Sequence, residues 1–413
     1  MRRIADLLER GRFDDAAADA AALRRRAPQM AEAARLHGIA LLQLGRVDAA
    51  RAALAEACRL APRSIDALCN LGSALLAGGD AAAAVATLER ARALAPAQPA
   101  VLNGLGNARR AAGDLDGACA AYRDATRAAP SYVGARFNLA AAELARGDAA
   151  AAERELRHGL ALAPGHPEGL LLLGIVLAAQ RRFAEAEATY AAGARAAPRD
   201  ARFPYQLGLA AEEQKRYADA ADAQARALAL DPGLHHALGQ LVFLRRQLCD
   251  WRDLDALSAE LRARVAAEAP GIAPFGFLSE PAGADEQLRC ARTCAAGIEA
   301  VAAPLRARLA FAARPVAADA PLRVGFVSNG FGLHPTGLLI VAMIEALRGE
   351  RLDVHLFATS ADDGSAIRRR LRAAAHAFHE VAGLGAVPLA RRIHAEAIEV
   401  LVDLRGYGGG SVA

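Results

Sequence analysis

Rings are scarce in this sequence: aromatic residues make up 5% of its 413 residues, with a single tryptophan. An interior short of rings has to be closed by small side chains. Ala dominates the apolar set and is the strongest helix former, so helix packed closely on helix is expected. The six cysteines (Cys58, Cys69, Cys119, Cys249, Cys290, Cys294) show neither zinc-site spacing nor a C-x-x-C pair. Cys290 and Cys294 stand one helical turn apart, but no second pair or histidine cluster completes a ligand set, so no metal is expected. No run of eighteen uncharged apolar residues occurs, and Met1-Arg2-Arg3-Ile4-Ala5-Asp6 is no apolar leader. A cytoplasmic protein without a membrane partner is the expectation. The net charge of +4 comes from 50 basic and 46 acidic residues, interspersed and without a long basic run, which argues against nucleic acid as a partner. Lys215 is the single lysine, a bias that carries no mechanism.

What the sequence has is a period. Pro28, Pro62, Pro96, Pro130, Pro164, Pro198 and Pro232 follow one another at 34 residues. The same register carries Gly38, Gly72, Gly106, Gly174 and Gly208, with Ala140 and Val242 at the two remaining places. Twelve residues further on stand Ala50, Ala84, Ala118, Ala152, Ala186 and Ala220. Small residues at these two points let two helices cross closely. Gly45, Gly79, Gly113 and Gly147 end the first helix of a pair, and Asp80, Asp114 and Asp148 after three of them suit a cap for the second. Each proline closes its unit because it cannot continue a helix.

This pattern resembles the tetratricopeptide repeat, a helix–turn–helix unit, over roughly residues 1–246. One such unit cannot bury its apolar face alone, so the units are expected to stack into a solenoid with a concave groove that binds peptides or protein segments. Gly11 and Ala16 fall on the register one period early, so the chain is expected to begin inside a repeat. The pattern fails at Val242 and ends at Cys249-Asp250-Trp251.

Helical stretches continue without the period to about Arg306, broken at Ala269-Pro270-Gly271 and Pro274-Phe275-Gly276-Phe277. A Pro/Ala-rich linker, Ala313 to Pro321, leads to a different texture. Three β-rich runs, Leu322 to Ser328, Leu352 to Ala358 and Ile398 to Leu404, alternate with helical stretches at Thr336 to Leu347, Ala366 to Ala375 and Val387 to Ala397. Strands alternating with helices predict a parallel sheet covered by helices. Its ligands belong beyond the carboxyl ends of the strands, at the Asn329–Gly337 and Arg405–Gly410 loops. Pro335 occupies the place of the third glycine of a dinucleotide fingerprint, which excludes that motif.

A repeat array followed by Cys249-Asp250-Trp251, then Arg323-Val324-Gly325-Phe326-Val327-Ser328 with Gly332-Leu333-His334-Pro335-Thr336, is similar to the protein O-linked N-acetylglucosamine transferases, glycosyltransferase family 41. Asp362-Asp363-Gly364, Arg392-Ile393-His394 and Gly406-Tyr407 keep that family's order. The expected fold is therefore mainly α: a tetratricopeptide α–α superhelical solenoid followed by a partial, Rossmann-like α/β domain, the first lobe of a GT-B glycosyltransferase. The expected divisions are a partial repeat over 1–28, the array over 29–246, a helical bridge and linker over 247–318, and an incomplete first catalytic lobe over 319–413. The resemblance implies transfer of N-acetylglucosamine from UDP-N-acetylglucosamine to Ser or Thr of proteins, without metal or other cofactor, with protein or peptide acceptors held in the repeat groove.

It further implies His334 and His394 as catalytic residues and Pro335, Thr336, Gly406 and Tyr407 as substrate contacts. An imidazole at a strand end also suits acid–base or binding work on physical grounds. The other reading of His394, a surface or interface histidine, stays open. His37, His235, His236 and His376 are read as structural. Gly408 stands where the family usually has Thr. Of the family's asparagine ladder, only Asn70 and Asn138 hold their places, with Gln206 and Gln240 as substitutes and Leu36, Gly104 and Leu172 elsewhere. The family's donor-binding lobe would follow Ala413, so the chain by itself is expected to bind proteins but not to transfer sugar. The competing reading is a repeat scaffold without enzymatic activity. Oligomeric state is not legible.

Overall fold

The computed structural model describes residues 1–312, 320–348 and 351–404. It divides into two compact units, Met1–Ala196 and Ala197–Ala413.

Unit one is six helix pairs: α1 (Arg2–Glu9) with α2 (Phe13–Arg26), α3 (Ala31–Gln43) with α4 (Val47–Leu60), α5 (Ile65–Ala77) with α6 (Ala81–Leu94), α7 (Pro99–Ala111) with α8 (Leu115–Ala128), α9 (Val133–Ala145) with α10 (Ala149–Leu162), and α11 (Pro167–Ala179) with α12 (Phe183–Ala196). The odd-numbered helices also approach one another in succession, so they line the inner side of this stack.

The periodic residues make this geometry. Ala16, Ala50, Ala84, Ala118, Ala152 and Ala186 are all fully buried. The small residue on each first helix faces a large one sixteen positions later: Gly38 meets Leu54, Gly72 meets Leu88, Gly106 meets Tyr122 and Gly174 meets Tyr190. A Cβ at Gly72 would lie 2.8 Å from Leu88 Cγ, so a larger residue there displaces its partner. Between the helices of a pair, Gly45, Gly79, Gly113 and Gly147 hold φ of +71°, +77°, +74° and +89°. That left-handed conformation carries little strain for glycine. Asp80, Asp114 and Asp148 then accept from the backbone N–H of Ala83, Gly117 and Ala151 and cap the second helices. Each second helix stops where the residue before the proline leaves the α region, as at Ala61 (φ −133°).

The second unit opens with α13 (Arg202–Glu213), α14 (Tyr217–Leu230) and α15 (His235–Gln247), continues with α16 (Leu254–Ala266), the short α17 (Pro274–Phe277) and α18 (Ala284–Leu309), and ends in a sheet. Gly208 packs on the buried Gln224. Where the small residue becomes Val242, the residue sixteen later shrinks to Ser258. Ser258 joins a buried polar group instead: it donates to Glu280, which also accepts from Arg246 Nε at 3.0 Å.

Four parallel strands, β1 (Leu322–Ser328), β2 (Leu352–Ala358), β3 (Ala377–Glu380) and β4 (Val400–Asp403), lie in the order β3-β2-β1-β4. Helices α19 (Pro335–Ala346), α20 (Ala366–Ala374) and α21 (Ala386–Ala395) connect them. Phe326, Val354, Leu356, Phe331, Val341, Ile344 and Leu371 form the core on one face. Val327, Phe357, Val381 and Leu389 form it on the other. Three of the strands sit where the sequence predicts them. β3 is an addition: four residues, Ala-Phe-His-Glu, are too few for alternation to declare a strand. Among the described residues no helix is long and apolar enough to cross a membrane.

Candidate functional site

The loop leaving β1 is folded tightly on itself. Ser328 Oγ accepts from Gly330 N at 3.0 Å. A Cβ at Gly330 would stand 2.6 Å from His334 Nδ1 and 3.0 Å from Thr336 Cβ, so glycine there lets the backbone pass under the imidazole. His334 is the N-cap of α19, and its Nδ1 accepts from Thr336 N at 3.2 Å. A neutral imidazole that accepts at Nδ1 carries its proton at Nε2, so the nitrogen not engaged in the cap is a donor. His334 and Thr336 are half-buried, and Pro335 is exposed. Asn329 Oδ1, at the carboxyl end of β1, is buried without a hydrogen-bond partner.

Two neighbours hold the loop from outside. Asp363 Oδ2 accepts from Leu333 N at 2.7 Å, while Oδ1 accepts from Ser365 N at 3.0 Å. These backbone donors pull the Asp363 pKa down to about 2. Arg368, on α20, is 1% exposed and donates to Phe331 O at 3.0 Å, Ser360 O at 3.1 Å and Glu380 Oε2 at 2.5 Å. Asp362 Oδ1 stands 3.5 Å from its Nε as a further charge partner. In the sequence Asp363 stands out only as part of a motif, and Arg368 not at all, since a residue in an Arg-rich helical run gives no sign of facing inward.

His394 lies on α21, half-buried, its ring stacked on Phe311 at 4.2 Å and 9°. Among the described residues no hydrogen bond or ring contact joins it to His334. Gly406 and Tyr407, and the loop to which they belong, lie outside the described residues. In the first unit, Asn70 on α5 and Asn138 on α9 are half-buried on inner helices, and Asn138 Nδ2 donates to Asn103 Oδ1 at 2.9 Å. In the second, Glu212, Tyr217, Gln240, Phe243 and Phe275 line a cleft of about 490 Å³. Gln240 donates to Glu212, whose pKa is raised by burial.

A further cluster could not be anticipated from the sequence. His355 on β2 and His379 on β3 are 5% and 8% exposed on the sheet face that carries α21, with His355 Nδ1 and His379 Nε2 3.1 Å apart. Burial lowers the pKa of both rings, so both are neutral at neutral pH. Arg392 Nη2 reaches His379 Nδ1 at 3.1 Å and Glu396 Oε1 at 3.0 Å. Nothing in residue spacing joins positions 355, 379 and 396; only strand pairing does.

Two families of known proteins match parts of this chain. Tetratricopeptide repeat matches cover residues 2–65, 69–133, 103–167 and 171–235, and residues 248–412 match glycosyl transferase family 41. This is a tetratricopeptide repeat protein, and its remaining segment matches glycosyl transferase family 41. The repeat protein is 25% identical over 174 residues, 40% of its length, to a probable UDP-N-acetylglucosamine–peptide N-acetylglucosaminyltransferase of Arabidopsis thaliana. It is 31% identical over 94 residues, 22% of its length, to a UDP-N-acetylglucosamine–peptide N-acetylglucosaminyltransferase of Caenorhabditis elegans. The matches span 18% and 8% of those relatives' own lengths. A mutant O-GlcNAc transferase of Thermobaculum terrenum aligns with 69% of the repeat protein and 48% of its own chain, at 22% identity and a TM-score of 0.41. His334 and the loop held by Asp363 and Arg368 all fall inside the family 41 match.

Proposed function

We propose that this protein serves the acceptor side of protein O-linked N-acetylglucosamine transfer, in the cytoplasm, with UDP-N-acetylglucosamine as donor and no catalytic metal. The observation that carries this reading is the loop after β1. A half-buried histidine caps α19 there, at the carboxyl end of the first strand of a parallel sheet, inside the family 41 match. Such strand ends are where ligands of parallel sheets bind.

His334 holds Thr336 N–H with one nitrogen and presents Nε2–H with the other. In this state it orients a hydroxyl or phosphate oxygen by donating to it. Acting as a base would require the cap to release Nδ1 or the proton to change nitrogen. Pro335 and Thr336 fix the start of α19 and thereby the direction of the ring. His394 is proposed as a second ligand-facing group, with Phe311 setting its plane, and Gly406 and Tyr407 as contacts on the loop after β4. Asn70 and Asn138, on the inner helices, are proposed to grip the backbone of an extended acceptor. Asn138 does so in company with Asn103, since an amide has donors and acceptors for both. Stabilising the charge of the departing diphosphate usually lowers the barrier more than any other single effect. None of these residues is assigned that task, so sugar transfer by this chain alone is not expected.

The test is titration of the chain with Ser/Thr-rich acceptor peptides, followed by incubation with labelled UDP-N-acetylglucosamine. Peptide binding that weakens several-fold in Asn138→Ala and Asn70→Ala supports the acceptor role. Turnover of the donor by the chain alone overturns its restriction to the acceptor side. Peptide binding indifferent to both asparagines favours a scaffold that uses another surface.

A further inference from the structure

We propose that His355, His379 and Glu396 form a binding site for a divalent transition metal of the zinc class, on the sheet face beneath α21 and separate from the His334 loop. The inference is independent of the transferase reading.

The three residues each offer one ligand atom, and these atoms lie within 4.8 Å of one another. His355 Nδ1 and His379 Nε2 are already 3.1 Å apart. Two nitrogens bound to zinc at about 2.0–2.1 Å in a tetrahedron are separated by about 3.4 Å, so the spacing suits a shared metal. The rings, which meet almost in line with centroids 5.3 Å apart, have to tilt for both lone pairs to point at it. The third ligand has to travel further. Glu396 Oε1 is 3.8 Å from His379 Nδ1, and its side chain is 26% exposed at the end of α21, where rotation is open to it. Two imidazoles and a carboxylate suit zinc, cobalt or nickel rather than magnesium or calcium, which prefer oxygen. Three protein ligands leave one position for water.

Without metal, the site is held by hydrogen bonds that also set the tautomers. Arg392 always donates, so His379 accepts at Nδ1 and must carry its proton at Nε2, which it donates to His355 Nδ1. Metal binding replaces that shared proton. The proton on His379 Nε2 is lost to solvent, and Nδ1 takes one up once Arg392 has left it, so His379 stays neutral. The new Nδ1–H then faces water, since Glu396 has moved to the metal. Arg392 is thus the competitor: its guanidinium occupies both His379 and Glu396, and its side chain is 51% exposed and free to turn outward. His376, stacked on His355 at 5.5 Å and paired with Asp353 at 3.3 Å, flanks the site on the exposed side.

The probe is Co²⁺, titrated into the full chain at pH 7.5 and read by visible absorption, with Zn²⁺ competition. One equivalent bound through nitrogen and oxygen, without the near-ultraviolet bands of thiolate ligation, is expected. His355→Gln, His379→Gln and Glu396→Gln should each lower affinity about tenfold or more. Arg392→Gln should raise it several-fold, because it removes a competing cation. Glu396 and Arg392 are partly exposed, so these two variants carry the test even if a histidine variant fails to fold. Absence of binding up to millimolar Co²⁺, or binding equal in all four variants, or thiolate bands that vanish with Cys290→Ser and Cys294→Ser, overturns the proposal.

Discussion

Asp363 reaches across thirty positions of sequence to accept, at 2.7 Å, the backbone N–H of Leu333, the residue before His334. The orientation of the histidine therefore depends on a carboxylate in a different connection of the sheet. Protonation removes that acceptor. The carboxyl's ordinary value is 3.8 and its folded value about 2, so the clamp contributes stability above 3.8 and loses it as pH falls toward 2. Hydrogen exchange at the Leu333 amide should accelerate across that window relative to the Thr359 amide, which is held by Ser328 O of β1. In Asp363→Ala the Leu333 amide should be unprotected at every pH.

Arg368 pins the same loop through Phe331 O. Its replacement by Leu leaves Phe331 O and Ser360 O without their donor and Glu380 without its buried partner. The expected loss is about 2–4 kcal/mol of stability in urea unfolding. Arg368→Lys should recover less than half, because an ammonium cannot span two carbonyls and a carboxylate as a planar fork does. Recovery to wild-type stability by lysine would show that charge alone matters here.

In the repeats, Gly106→Ala should cost about 1–3 kcal/mol, since the methyl group meets the Tyr122 ring. Tyr122→Leu in the same chain should return part of it. At the equivalent crossing this protein already has an alanine and a leucine, Ala140 and Leu156, both buried. A double variant no more stable than Gly106→Ala alone would mean that the clash is not the cause.

The turn position that is glycine at 45, 79, 113 and 147 is Arg181, Lys215 and Cys249 in later repeats, with φ of +61°, +60° and +53°. A side chain in that region is strained by about 1–2 kcal/mol, partly offset by the backbone entropy that glycine loses. Lys215→Gly should therefore stabilise the second unit by about 0.5–1 kcal/mol, visible as a rise of a few degrees in Tm.

The repeats were legible because the features that build them are local and recur. Proline, glycine and alanine each mark a backbone or a crossing that tolerates little else, and the marks return at a fixed interval. β1 and β2 were legible from their β-branched and aromatic runs. β3 was not, because its pairing with β2 rather than its own four residues makes it a strand. The same reason hides the arrangement around the site. The start of α19 was legible to within one residue, yet the cap formed by His334, the hold of Arg368 on Phe331 and the meeting of His355 with His379 were not, the last two because they depend on which strands become neighbours. Cysteine spacing pointed to no metal, whereas the candidate ligands are two histidines and a glutamate that come together only through the sheet.

Each register glycine on a first helix meets its large partner sixteen positions later, inside the same helix pair, from Gly38 with Leu54 to Gly208 with Gln224. The interlock that varies most, with Leu, Tyr or Gln as the large member, is thus private to each pair, while the surfaces that join successive pairs are rich in alanine, as around Ala34, Ala57, Ala67 and Ala91. A repeat can be duplicated, deleted or exchanged as a block of 34 residues, cut at its proline, without separating these register locks from their keys, whereas Phe137, which meets both Gly159 of its own pair and Gly169 of the next, ties two blocks together. The number of inner helices and the set of side chains they display can then change by recombination of whole blocks, with no new interior to be devised.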